Sequence, residues 1–174
     1  ALKNMTVYYG NLYEYDKCID ITMQVAMIFE KIYGRNSEEY GATIHNLGIF
    51  HMYKNDYQTA AACYKESIRI HEALPGDNRK FISMSYGSLG QALFHLGEVE
   101  YGEKAYAKSA SILQELGLSE SLDAVQLLDM YGYSLLEKLN KRSSDFFLNS
   151  IATAEKIGIE NHPVVFHAQL NYGL

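Results

Sequence analysis

The chain has 174 residues, 48% of them apolar and 21% charged, with a formal net charge of −6. That composition excludes a disordered chain, and its mild acid excess argues against nucleic acid or an anionic membrane as the main partner, because both need a basic footprint. Two cysteines cannot build a disulfide framework, and no apolar run approaches the ~20 residues of a membrane span.

The opening Ala1-Leu2-Lys3-Asn4-Met5 lacks the charged region and apolar core of a signal peptide, and the chain stops at Leu174 inside a periodic helix. A piece of a longer protein, intracellular and cytoplasmic, is therefore expected. Apolar residues at helical spacing (Ile44, Leu47, Phe50, with His51) give way to a polar break at Lys54-Asn55-Asp56. The spacing then resumes through Tyr57, Ala60, Ala61, Tyr64, Ile68 and Ile70. Leu74-Pro75-Gly76-Asp77-Asn78 is a breaker cluster. A second pair of helices turns at Gly97-Glu98 and ends in Leu116-Gly117-Leu118-Ser119. A third ends at Ile159-Glu160-Asn161-His162-Pro163, where Asn161 is expected as an N-cap and Pro163 in the first turn. The units expected are about 1–36, 37–77, 78–119 and 120–161, with a partial fifth helix over 162–174, in one array.

One period joins these units. Gly48, Gly90 and Gly132 are 42 residues apart, and Gly173 follows after 41. A small column (Cys18, Ala60, Gly102, Ser144), a large one (Thr22, Tyr64, Tyr106, Leu148) and an aliphatic one (Ile28, Ile70, Ile112, Ala154) repeat at the same spacing. A glycine within a helix costs ~1 kcal/mol against alanine, so its recurrence points to close helix crossings. The fold expected is all-α, a stack of antiparallel helix pairs in which each unit covers its neighbour.

Asn46-Leu47-Gly48, Tyr57-Gln58-Thr59-Ala60 and Ala61-Ala62-Cys63-Tyr64 resemble tetratricopeptide repeats, as do Ser88-Leu89-Gly90 and Ala105-Tyr106-Ala107. The 42-residue unit and the links Glu72-Ala73-Leu74-Pro75-Gly76-Asp77 and Asn161-His162-Pro163-Val164-Val165 resemble the kinesin light chain subclass. Lys141-Arg142-Ser143-Ser144 departs from that subclass's turn. The resemblance implies a right-handed superhelical α-solenoid whose first helices line a concave groove that binds a peptide segment or helix of a partner protein.

With the landmark glycine facing its paired helix, residues two, three and six before it, and one, four and five after it, are expected on the groove. Two before gives Asn4, Asn46, Ser88, Met130 and Asn171. In the family resembled, asparagines here form a ladder that bonds an extended peptide's backbone, a task suited to an amide that both donates and accepts. The alternative is that they bond neighbouring helices. The other candidates are His45, Ile49, Met52, Tyr53, Met84, Gln91, Phe94, His95, Gln126, Asp129, Tyr133, Leu136 and Glu137. Tyr53 and Tyr133 are the expected ligand contacts among the tyrosines. Tyr57, Tyr64, Tyr101 and Tyr106 are expected between helices, and Tyr8, Tyr9, Tyr13 and Tyr15 cluster in the first unit. This wall holds no Lys or Arg, so an acidic C-terminal tail is not the expected ligand.

No catalytic chemistry emerges. No phosphate-cradling glycine loop is present. The pairs His45/His51 and His162/His167 miss the i, i+4 spacing of helical zinc ligands. Cys18 and Cys63 fall at packing positions. The Glu38-Glu39 pair suits a helix start, and Lys138, Lys141 and Arg142 a solvated turn. A non-enzymatic interaction scaffold with no cofactor or metal is expected, binding protein rather than nucleic acid or membrane. The rivals are a ligand-sensing array of a larger transcription or signalling protein, and an array that self-associates through exposed terminal repeats.

Overall fold

The computed structural model describes residues 14–138, 140 and 142–172, and these form eight α-helices with no strand among the described residues. In chain order they are α1 (Tyr15–Tyr33), α2 (Glu38–Tyr53), α3 (Tyr57–Ala73), α4 (Arg79–His95), α5 (Val99–Glu115), α6 (Leu122–Glu137), α7 (Ser143–Lys156) and α8 (Pro163–Tyr172).

Local chemistry sets the helix ends. Ser37, Asp56 and Ser121 accept the N–H of Tyr40, Thr59 and Ala124, each satisfying one of the donors a helix start leaves free. Glu38 and Glu39 lie in the first turn of α2, where the helix dipole favours them. At α8 the expected cap moves by one residue: His162 Nδ1, not Asn161, accepts the Val164 N–H at 3.3 Å. Gly97 and Gly117 end α4 and α5 at φ of 80° and 70°, a left-handed turn that a side chain resists.

Successive helices pack side by side, α2 on α3, α4 on α5 and α6 on α7, while α1 covers α2, α3 covers α4 and α7 covers α8. The landmark glycines sit at the crossings within pairs. A Cβ on Gly48 would stand 2.7 Å from the Tyr64 ring, and one on Gly90 2.9 Å from Tyr106. Buried serines repeat the same logic: Ser67, Ser109 and Ser150 donate to the carbonyls of Gly41, Ser83 and Val125, tying each second helix to the backbone of its first. This serine clamp keeps the helix backbones close and satisfies hydroxyls that burial would otherwise strand.

The third crossing slips by one residue. Gly132 faces Phe147, whereas Leu148 of the expected large column is 42% exposed. Ser143 is buried in place of Ser144, and Ser150 rather than residue 151 makes the clamp. Phe147 stands 15 residues beyond Gly132, where Tyr64 and Tyr106 stand 16 beyond Gly48 and Gly90, so the inward face of α7 is set one residue off the period. Arg142 braces the turn before α7 by donating to Glu103 at 3.1 Å. Two further expectations fail: Ile28 is 44% exposed and Tyr101 62% exposed, so neither packs between helices.

The interior is a row of clusters rather than a centre. One joins Ala60, Tyr64 and Ile68 to Leu89 and Leu93, the next Phe94 and Tyr106 to Leu127 and Leu135, the last Val125, Phe147 and Ile151 to Val165 and Ala168. Each cluster spans two helix pairs, as expected when neighbours supply each other's apolar cover. Curvature follows from which helices touch across units. Among the described residues α2 meets α4, α4 meets α6 and α6 meets α8, while α3 and α5, or α5 and α7, do not meet. The even-numbered helices are therefore the crowded inner side of the arc.

Candidate functional site

The inner side carries most of the residues expected on the groove. Asn46, Tyr53, Met84, Gln126, Tyr133 and Leu136 are exposed there, with Gln91, His95, Asp129 and Asn171 half-buried beside them. Asn4, Tyr8, Tyr9 and Tyr13 lie outside the described residues. Tyr53 stacks on Tyr15, with ring centroids 5.1 Å apart, and leaves its other face open. His95 stacks flat on Tyr57 at 4.2 Å and meets the Glu137 carboxylate at 3.3 Å, so the lower end of α4 is bridged to α6.

Several candidates turn inward. His45 is only 3% exposed. Its Nδ1 lies 3.0 Å from the Ser85 hydroxyl, and its ring packs on Tyr64 and Phe81. Phe94 is fully buried, its ring within reach of the bare Cα of Gly102. Ile49 and Met52 pack against the first core cluster. Ser88 is half-buried near the Tyr64 hydroxyl, in the lining of the slot between α4 and α6. The cause is common to all of them: helices of one array lie close enough that residues flanking the inner face are claimed by the next unit.

The wall is also not free of basic residues. Lys80 lines a narrow slot between α4 and α6 together with Met84, Ser88, Gln126 and Met130. Its ammonium lies 3.0 Å from Asp123, which neutralises it.

One opening stands out on the inner side. A cleft of about 360 Å³ lies between α4, α6 and α8, lined by Gln91, Asp129, Met130, Tyr133, His167, Leu170 and Asn171. Five of these, Gln91, Asp129, Met130, Tyr133 and Asn171, were expected on the groove. His167 and Leu170 were missed, yet they stand six and three residues before Gly173 and follow from the rule that selects Asn171. Asp129 is the unusual member. Its Oδ1 is shielded from water and accepts no hydrogen bond. Burial raises its carboxyl to about 6, with the charge of His167 pulling the other way.

Elsewhere the chemistry is inert. Cys18 and Cys63 are buried, and burial pushes the Cys63 thiol up to about 11, far from a reactive thiolate. No group of three or more metal-ligating side chains comes together among the described residues. No helix among them is long and apolar enough to cross a membrane.

A sequence model of the tetratricopeptide repeat matches residues 39–115, spanning α2 to α5. These residues carry tetratricopeptide repeats. Solved structures extend the likeness of fold along the array. A kinesin-light-chain-type protein of Podosopora anserina with nearly identical TPR-like repeats superposes with a TM-score of 0.73 at 14% identity, covering 98% of this chain and 82% of that one. BtubC (BKLC) of P. vanneervenii gives 0.74 at 16% identity, covering 91% of this chain and 64% of that one. At such identity the likeness is one of fold. No curated protein matches the sequence significantly. Tetratricopeptide arrays are in general protein-binding scaffolds rather than enzymes, and this one presents its inner helices in the same solenoid.

Proposed function

We propose that the inner face of this tetratricopeptide array binds a segment of a partner protein, extended or helical, and that the protein acts as an adaptor or scaffold rather than an enzyme. One observation carries the reading: amide, aromatic and methionine side chains stay exposed along the line of even-numbered helices, beside a cleft of about 360 Å³, while the core residues around them are sealed. Amides can take a peptide's backbone, and exposed rings and thioethers adapt to its side chains. The amide rungs for a backbone ladder are Asn46 and Asn171, since Ser88 and Met130 have no amide. The tetratricopeptide repeats themselves and the kinesin light chain type of solenoid support a protein partner. A cytoplasmic setting is consistent with the buried free thiol of Cys63.

The test is capture from native extract with three forms of the chain. Combining Asn46→Ala with Tyr133→Ala should cost at least tenfold in partner recovery, the size expected when a buried hydrogen bond and a ring contact are lost. A control pair on the outer helix α5, Tyr101→Ala with Lys108→Ala, should bind as wild type. Equal recovery by the inner-face variant, or loss by the outer one, would place the partner elsewhere.

A further inference from the structure

We infer that the cleft between α4, α6 and α8 is a pocket for a basic side chain, a lysine or arginine of the bound segment, with Asp129 as its counter-ion. The inference rests on the groove reading above and specifies what the groove selects. A carboxylate taken out of water is costly unless paired or hydrogen-bonded, and structures rarely leave one orphaned. Asp129 Oδ1 has no donor, and among the described residues no lysine or arginine lines the cleft; the exposed His167 ring is its basic neighbour. The remaining lining fits the same guest. Met130 and Leu170 offer apolar surface for an aliphatic stem, the partly exposed Tyr133 ring offers a face to a cation, and the amides of Gln91 and Asn171 flank the opening. An acidic guest would meet Asp129 with like charge, and an apolar one would leave the carboxyl further from water with nothing in return.

The repeat shows why this place is open. Asp129 and His45 stand at the same position of the unit, three residues before Gly132 and Gly48. Around His45 the next inner helix supplies Ser85 as a bonding partner and the Phe81 ring as a wall. Counted from Gly173 as they are from Gly90, those places fall to Ala168 and Val164, which offer neither a hydroxyl nor a ring and pack in the last core cluster. The wall that encloses His45 is thus missing at Asp129.

Selection of phage-displayed random dodecapeptides on the full chain tests this. Wild type should enrich lysine or arginine at one position of the captured peptides at least tenfold over the starting library. The isosteric Asp129→Asn should still capture peptides but lose that enrichment, with no loss of thermal stability. In a follow-up with one selected peptide, replacing its basic residue by norleucine should weaken binding more than tenfold to wild type and less than twofold to Asp129→Asn. Tyr133→Ala should weaken the basic preference severalfold through a residue whose removal leaves the core untouched. Peptide capture with no basic preference, or the same preference in Asp129→Asn, would overturn the inference while leaving the groove reading in place. No capture by wild type would overturn the groove reading and this inference with it.

Discussion

His45 and Asp129 occupy one position of the repeat and meet opposite ends. His45 is enclosed by α3 and α4, with its ring tilted against Tyr64 and edge-on to Phe81 and its Nδ1 beside the Ser85 hydroxyl. Asp129 opens on a cleft and keeps one oxygen without a donor. Both are polar groups in places that a core would fill with carbon. One is completed from within, so it is structure. The other is incomplete, so it is the place where a ligand gains most. In a periodic fold, then, function is read from the unit that departs from its siblings in what the next unit supplies, and not from the position itself.

Breaking the enclosed half has the largest effect. His45→Ala leaves a void between three helices and strands Ser85, and should cost about 2–4 kcal/mol in urea unfolding. Asp129→Asn, at the equivalent place, should cost nothing, and equal losses would erase the distinction between the two sites.

Acid separates them next. Burial, with the nearby His71 adding to it, lowers folded His45 to about 4 from the ordinary value of 6.5. The unfolded chain therefore takes up that proton first as pH falls, and stability from this group is full above pH 6.5 and lost toward pH 4. The 2.5-unit gap corresponds to about 3 kcal/mol. Asp129 works the other way: with its carboxyl raised to about 6, its contribution falls as pH rises from about 4 to 6 and is level beyond. The two oppose each other in one window. Unfolding measured from pH 4 to 7 should show a steeper rise in Asp129→Asn than in wild type, and loss of the rise in His45→Gln.

A smaller change sharpens the cause. Ser85→Ala removes the hydroxyl that completes His45 and should cost about 1–2 kcal/mol, giving the first site an orphan like that of the second. Gly102→Ala probes the crossings independently. Its new methyl would meet the Phe94 ring at 2.5 Å and the Gly90 carbonyl at 3.1 Å, so about 1–2 kcal/mol is expected even after the gain in helix propensity. The smallest effect is expected at Tyr53. Being 59% exposed, its replacement by alanine should change stability by less than about 0.5 kcal/mol, while weakening partner capture if the inner face binds as proposed.

Much of the array is legible in the amino-acid order. The 42-residue spacing of Gly48, Gly90 and Gly132, and the tyrosines sixteen residues beyond the first two, predict the crossings because a missing side chain and a large ring must meet there. The breakers at Leu74–Asn78 and Gly97-Glu98 mark where helices end. The one-residue slip in α7 was not legible, since the period alone aligns Gly132 with Leu148, and only the packing of α7 on α6 brings Phe147 to the glycine. Nor was the fate of Ser88 or Phe94, because facing outward from one helix says nothing of where the next helix lies.

Sequence alone determined the all-α class, the helix pairs and the small-residue crossings, all of which depend on contacts within about forty residues and repeat with the chain. Tertiary structure decided which polar groups are satisfied. That outcome depends on what the following unit brings alongside, Ser85 and Phe81 in one case and Ala168 and Val164 in the other, and on the curvature that crowds the even-numbered helices together. Hydrogen bonds and enclosure are short-ranged in space and long-ranged in sequence, so the periodicity that reveals the fold leaves the candidate site to the packing of its neighbours.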